Sequence, residues 1–241
     1  MPVSYRQLDA EQIVRTLEEL RGRIATRFPQ ANLRKLCEQE LAVAHEAIAC
    51  AEFLRKPHRS LRVGATLAVV VLVGLLVAVA GITLHAPAQM SLSDLVQTFE
   101  AGVNDVVFFG IAIFFILSLE RRLKRRRALV VIHELRSLAH IVDMHQLTKD
   151  PERLMMGDAG DTPAASDRPR PTTGAELSKY LDFCSELLSL ASKIAALLVQ
   201  HFDDAQVLAA VNEIEDLTTG LSGKIWQKIT ILERASLNAR V

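Results

Sequence analysis

Two long uncharged stretches constrain this chain more than any other feature. Residues 63–84 run for 22 residues without a charged side chain, and residues 106–119 run for another 14. A helix rises about 1.5 Å per residue, so the first stretch reaches about 33 Å and exceeds the roughly 30 Å hydrocarbon core of a bilayer. Backbone polar groups find no water there, so only helices and closed barrels cross it. The sequence therefore predicts two transmembrane helices within residues 58–119.

The second stretch is shorter than the first and approaches the length of a membrane span only when the residues before it are included. Counted from residue 102 it has 18 residues. It is followed by a run of basic residues: Arg121, Arg122, Lys124, Arg125, Arg126 and Arg127. Such a run is typical of the cytoplasmic end of a span and of a contact with anionic lipid headgroups. A buried helix of a soluble protein is the alternative interpretation of this stretch.

The charges beside the two stretches predict their orientation. Arg55, Lys56, Arg59 and Arg62 precede the first stretch, whereas residues 85–101 between the two contain no lysine or arginine. Positive charge favours the cytoplasmic side, so both termini are expected in the cytoplasm. Residues 85–101 then form a short extracytoplasmic loop of a multi-pass membrane protein. The first 20 residues have no apolar core, so no cleaved signal is expected.

The remaining segments have the periodicity of helices. Apolar residues recur every three or four positions in residues 13–24 and 33–51, which predicts an N-terminal cytoplasmic hairpin at residues 1–57. Asp9 and Gln12 have the spacing of a capping box at its start. The pattern continues beyond the basic run, so residues 120–155 are expected to extend the second span. Residues 156–173 are rich in Gly, Pro, Asp, Ser and Thr and predict a flexible linker.

Residues 174–241 predict a second cytoplasmic hairpin. Thr173 with Glu176, and Asp203 with Gln206, have capping-box spacing and mark the starts of two helices. The first of these helices carries a heptad seam: Leu177, Tyr180, Cys184, Leu187, Ala191, Ile194, Leu198 and His201. The predicted fold is therefore an all-α membrane protein, with two transmembrane helices and cytoplasmic helical hairpins that form a bundle.

A stripe of small residues follows one side of the first span. It consists of Gly64, Ala68, Gly74, Ala78 and Gly81, together with Val71. Small side chains allow helices to approach closely in lipid, where packing drives their association. The partner helix is either the second span of the same chain or the first span of another copy, and the sequence leaves both open.

Polar residues near the second span allow a functional and an ordinary interpretation. Glu100 and Asp105 precede it and fit the acidic mouth of a cation pore, or they end the span at headgroup level. His133, His140 and Asp143 lie within three turns of helix and fit a metal shared between subunits, or ordinary polar positions on a bundle helix. Cys37, Cys50 and Cys184 form no CxxC pair and are expected to pack as reduced thiols.

Two segments carry a resemblance to known proteins. The first segment is residues 141–154 (IVDMHQLTKDPERL), and the second is residues 180–229, which run from YLDFCSELLSLASKI to NEIEDLTTGLSGKIWQKI. Both are similar to uncharacterised bacterial proteins with two transmembrane helices. The order of elements also resembles the two-span effector proteins of bacterial conflict systems that respond to nucleotide signals. The first resemblance implies a multi-pass protein of a bacterial inner membrane and no activity, and the second implies no functional residue.

The sequence favours a non-enzymatic function. No phosphate-binding loop, nucleophile elbow or other catalytic pattern occurs, so no catalytic residue, cofactor or metal is predicted, and neutral net charge gives no support to nucleic-acid binding. The leading hypothesis is a membrane-anchored scaffold or sensor whose cytoplasmic bundle binds a protein partner or self-associates into a homo-oligomer. The alternative is an oligomeric ion channel or pore-forming effector. Its hydrophobic gate would come from four phenylalanines: Phe108, Phe109, Phe114 and Phe115.

Overall fold

The computed structural model describes residues 7–56, 59–84, 92–147 and 173–238. These residues form helices and contain no strand, which confirms the predicted all-α class. There are six helices in the described ranges: α1 (Ala10–Arg27), α2 (Asn32–Arg55), α3 (Arg59–Leu84), α4 (Leu92–Leu147), α5 (Gly174–Val199) and α6 (Ala205–Asn238). The predicted linker lies outside the described residues except for Thr173, which caps α5.

Compact packing divides the chain into two units. One contains residues 1–55 and 125–241, and we call its described part the helical bundle. The other contains residues 56–124, and we call its described part the apolar unit. The N-terminal and C-terminal hairpins, which were predicted as separate segments, therefore contribute to one bundle together with the second part of α4.

The bundle is built around α5. This helix contacts α1, α2 and α6, and its buried residues include the predicted seam members Leu177, Cys184 and Leu198. Leu181 and Leu188 are also buried, so the apolar stripe of α5 is wider than the seam and the helix packs on more than one side. His201, the last predicted member of the seam, is exposed.

Local sequence explains where the bundle helices begin. The side chain of Asp9 accepts hydrogen bonds from the backbone N–H groups of Glu11 and Gln12, and Thr173 Oγ1 accepts one from Glu176, so these two predicted caps are confirmed. The third predicted cap was wrong by one position. Asp204, rather than Asp203, accepts hydrogen bonds from the N–H groups at positions 206 and 207.

The second part of α4 contributes an amphipathic face to the bundle. Val131, Leu135, Leu138 and Val142 are buried at intervals of three and four residues. Polar contacts join the same segment to α6: Arg136 pairs with Glu213, and Lys228 Nζ donates to the backbone oxygen of Gln146 at 2.9 Å. The sequence predicted this helix as an extension of the second span, and the structure gives it a place in the core.

The apolar unit contains α3 and the first part of α4. Helix α4 begins at Leu92, so residues 92–101, which were predicted to belong to a loop, are helical. Leu92, Leu95, Val96 and Phe99 have helical spacing, which explains why this segment forms a helix. Residues 85–91 of the predicted loop lie outside the described residues.

Gly220 and Gly223 do not interrupt α6. Glycine lowers helix stability by about 1 kcal/mol relative to alanine, yet the helix continues without a break from Ala205 to Asn238. A Cβ atom built at either glycine meets nothing within 4 Å. Neither glycine therefore makes a close contact with another helix in the described part of this chain.

Candidate functional surfaces

Exposed apolar side chains cover the first part of α4. Phe108 is 71% exposed and Phe114 is 68% exposed. Further exposed apolar residues of the same segment are Val103, Val106, Val107, Ile111, Phe115 and Leu119. Because a soluble protein rarely exposes a continuous apolar surface of this size, such a surface marks a contact with lipid or with another protein.

A single membrane-spanning candidate is found among the described residues. It lies in the helical segment Glu100–Leu147, where a window of 18 residues is sufficiently apolar and none of that window is buried. This candidate includes the second predicted span. Helix α3 is not a second candidate among the described residues, although four of its apolar side chains are exposed: Val63, Leu67, Val70 and Val77.

The small-residue stripe on α3 has open space at the Cβ positions of its three glycines, within the described part of the chain. A Cβ atom built at Gly64, Gly74 or Gly81 meets nothing within 4 Å, and Ala78 is exposed. Ala68 and Gly81 are partly buried. Within the described part of the chain, no atom of the second span lies within 4 Å of a Cβ built at Gly64 or Gly74.

Glu100 and Asp105 are both exposed on α4. They are five residues apart, and each residue turns a helix by about 100°, so the two side chains point about 140° apart. One helix therefore cannot direct both carboxylates at the same pore axis. A pore mouth would use one of them and leave the other on the opposite side of the helix.

The basic run is divided between exposed and engaged side chains. Arg121, Arg122 and Arg126 are exposed, and the guanidinium of Arg122 lies 4.9 Å from the centre of the Phe115 ring. Lys124 is buried, and its ammonium group pairs with Glu120 at 3.0 Å. With Arg127, four members of the run are therefore exposed, in keeping with a surface that meets anionic headgroups.

The half-buried Arg125 and the exposed Arg127 make contacts within the bundle. The guanidinium of Arg127 lies 4.6 Å from the ring centre of Phe53 on α2. Arg125 donates from Nε and Nη2 to Asp204 Oδ2 at 3.0 and 2.7 Å, and from Nη1 to Gln206 Oε1 at 3.0 Å. These contacts fix α4 against α2 and α6, so we expect Arg125 and Arg127 to contribute to bundle packing rather than to lipid binding.

Asp204 is a buried carboxylate with two tasks. It caps α6 and accepts both hydrogen bonds from Arg125. Burial alone would raise the pKa of Asp204, but the hydrogen bonds from Arg125, Val207 and Gln206 and the charge of Arg125 outweigh burial and lower that pKa. The group therefore stays ionised, as a cap and a salt-bridge partner require.

Glu40 is a buried carboxyl group that the sequence reasoning missed. It lies on α2, is 1% exposed, and its Oε1 atom accepts no hydrogen bond from the described residues. Burial raises the pKa of Glu40 well above its ordinary value. The sequence carried a signal, since Glu40 follows Leu33 and Leu36 and precedes Ala44 and Ala47 at the spacing of the buried face.

The cysteines pack in the core as predicted. Cys37, Cys50 and Cys184 are free and buried. The Cys37 thiol donates to the backbone oxygen of Leu17 at 3.7 Å. Burial, followed by the nearby Glu40 carboxyl, raises the pKa of Cys37 to about 12, so this thiol is a poor nucleophile.

The residues considered for a shared metal do not assemble within the described part of the chain. His133 and His140 are exposed, and Asp143 Oδ1 accepts a hydrogen bond from Gln146 Nε2 at 2.5 Å. No group of three potential metal ligands occurs among the described residues. The hypothesis of a site shared between two subunits remains a prediction.

Two clefts lie along the seam between α1 and α5, which run antiparallel within the bundle. The first has a volume of about 1200 Å³ and is lined by the start of α1, the end of α2 and the second half of α5, including Leu8, Ile13, Ile48, Leu190 and Leu197. The second has a volume of about 870 Å³ and is lined by the end of α1 and the start of α5, including Gly22 and Phe183. The pairing of Leu8 with Gln200, and of Arg23 with Glu186, fixes the antiparallel register.

No family model, curated protein or solved structure matches this chain.

Proposed function

We propose that this chain is a non-enzymatic protein of a bacterial inner membrane, anchored by α3 and the first part of α4, whose helical bundle is a cytoplasmic interaction module. The observation that carries the proposal is the apolar window of α4, none of which is buried. An exposed apolar helix of this length is stable in lipid and costly in water. Both termini then lie in the cytoplasm, and Arg121, Arg122 and Arg126 contact anionic headgroups.

The bundle supports the interaction role. Its core is formed by apolar packing of side chains from α1, α2, α4, α5 and α6. Its surface retains the two clefts of the α1–α5 seam, which are large enough to receive side chains of a partner. A folded module with accessible clefts, held at a membrane, suits the recruitment of a cytoplasmic protein.

Thiol labelling of intact cells tests the membrane arrangement. The native cysteines are buried, so single cysteines introduced at Gln89 and at the exposed Lys224 report on opposite sides of the membrane. We expect a membrane-impermeant maleimide to label Gln89→Cys in intact spheroplasts and Lys224→Cys only after lysis. Equal labelling of both before lysis, or recovery of the chain in the soluble fraction, would contradict the proposal.

An oligomeric channel is the second candidate, favoured by the open space at Gly64 and Gly74. In this case α3 helices of several copies pack through the small stripe around a central path. Light scattering of the nanodisc-embedded chain measures the oligomer, and liposome flux measures conduction. A ring of four or more copies that Gly74→Leu dissociates, with ion flux lost in parallel, would favour the channel. A monomer or dimer without flux would exclude it.

A further inference from the structure

The α1–α5 seam carries opposite charge at its two ends. Apart from His201, the ionisable groups of the larger cleft are four carboxylates and two bases: Asp9, Glu11, Glu52, Glu186, Arg55 and Lys193. The smaller cleft has three bases and one carboxylate: Arg23, Arg27, Lys179 and Glu19. The formal charge of the lining residues is therefore negative at the start of α1 and positive at its end, where Lys179 Nζ also pairs with Asp182 Oδ2 at 3.5 Å.

An ion pair lies between the two ends. Arg23, which lines the smaller cleft, donates from Nη1 to Glu186 Oε1 at 3.0 Å, and Glu186 lines the larger cleft. Phe183 is buried beneath the positive end, with Lys179 Nζ at 5.2 Å and the Arg23 guanidinium at 5.7 Å from its ring centre. From Asp9 to Arg27 the seam extends for about 27 Å at the helical rise, which equals about five turns of helix.

We propose that the α1–α5 seam binds one amphipathic helix of a partner protein, with basic residues at the end that meets Asp9 and Glu11 and acidic residues at the end that meets Arg27 and Lys179. This inference rests on the proposed function and names its docking surface. A third helix can pack in the groove between two antiparallel helices. Its apolar side chains then enter the groove, and its charged side chains meet complementary charges at the rim. The larger cleft, at about 1200 Å³, also exceeds the usual size of a small-molecule pocket.

Two synthetic helical peptides of 18 residues test the charge pattern. Both carry leucines on one face and the same lysines and glutamates on the other. In the block peptide all lysines precede all glutamates, and in the mixed peptide the two alternate. A helix can bind in either direction. The comparison therefore tests whether separated charges bind better than mixed charges, and it does not depend on which charge comes first in the peptide. Binding is measured to the full chain in zwitterionic nanodiscs, with empty nanodiscs as the blank.

We expect the block peptide to bind about tenfold more tightly than the mixed peptide, since several exposed ion pairs form at once. The double variant Arg27→Glu, Lys179→Glu should reduce this preference to about twofold or less. Lys224→Glu, an exposed charge reversal on α6, is the matched control and should retain it. Circular dichroism melting confirms that the three proteins are equally folded.

Three results would overturn the inference: equal binding of the two peptides, no binding of either, or a preference that survives the double variant. A second copy is the rival occupant. It is identified by a concentration-dependent increase in mass that the double variant abolishes, and that result would also overturn the choice of a partner helix. None of these outcomes affects the thiol-labelling test, so failure here is distinguishable from failure of the membrane proposal.

Discussion

The two parts of α4 have abundant apolar side chains and present them in opposite ways. Phe108 and Phe114, in the apolar unit, are largely exposed, whereas Leu135 and Val142, in the bundle, are buried. In the first part exposed apolar residues occur on all sides of the helix. In the second part the buried apolar residues form one stripe, and only a few apolar side chains (Val130, Ile141, Met144 and Leu147) are exposed outside it. The arrangement around the helix, rather than the apolar content, indicates whether a segment suits lipid or a protein core.

The largest expected effects come from placing the same charge in each part of α4. Leu135→Asp removes a fully buried side chain and buries a carboxylate, so the bundle should lose more than about 4 kcal/mol of unfolding free energy. Ile111→Asp should leave bundle melting unchanged and weaken membrane insertion by about 3 kcal/mol. Circular dichroism of the detergent-solubilised chain measures the first effect, and carbonate extraction of membranes measures the second.

The exposed Leu208 on α6 provides the control. Leu208→Asp should alter neither bundle melting nor membrane retention, because its side chain is exposed in the bundle. If Ile111→Asp unfolded the bundle, or Leu135→Asp left it intact, the contrast between the two parts of α4 would be wrong.

Periodicity predicted most of the helices because apolar spacing is local. Ile13, Leu17, Leu20 and Ile24 form one face in the sequence, and the structure buries all four. The cap of α6 was misplaced because Asp203 and Asp204 are adjacent, and the spacing to Gln206 selected the first. Only the actual helix start decides which carboxylate reaches the free N–H groups.

Contacts distant in sequence explain what the sequence reasoning missed among the candidate surfaces. The basic run was interpreted as a lipid contact throughout, but Arg125 pairs with Asp204, which is 79 residues further along the chain. No local pattern shows such a pair. The charge polarity of the α1–α5 seam was missed for the same reason, since Glu11 and Lys179 share a surface only after the two hairpins have packed.

The contact between the bundle part of α4 and α6 should have the next largest effect on stability. Asp204→Ala removes the helix cap and both hydrogen bonds from Arg125, so we expect the free energy of unfolding to fall by about 2 to 3 kcal/mol. Asp204→Asn can still cap the helix, so its loss should be about 1 kcal/mol smaller. Denaturant unfolding measures both. Since the folded pKa of Asp204 is lowered, its stabilisation is complete above the ordinary pKa and is lost as pH falls through the folded one.

Equal losses for Asp204→Ala and Asp204→Asn would show that the charge pair with Arg125, rather than the cap, provides most of the stabilisation. An unchanged unfolding free energy in both variants would mean that α4 is held in the bundle by its apolar stripe alone. The exposed Asp216 on the same helix is the matched control, and Asp216→Asn should have no effect.

Glu40 should give the smallest effect and the opposite dependence on pH. Because burial raises the folded pKa of Glu40, the unfolded chain releases its proton first, and the bundle loses stability as pH rises above the ordinary pKa. We expect Glu40→Gln to abolish this loss, so the difference in unfolding free energy between variant and parent should grow by about 1 kcal/mol per pH unit near pH 5.5.

The amide of Glu40→Gln keeps the size and the buried polar atom, so this variant changes ionisation without changing the packing. Glu38→Gln on the exposed side of α2 provides the control. A parallel pH profile for Glu40→Gln and the parent would mean that the carboxylate is ionised within the bundle, and a cation or hydrogen-bond donor would then have to reach Oε1.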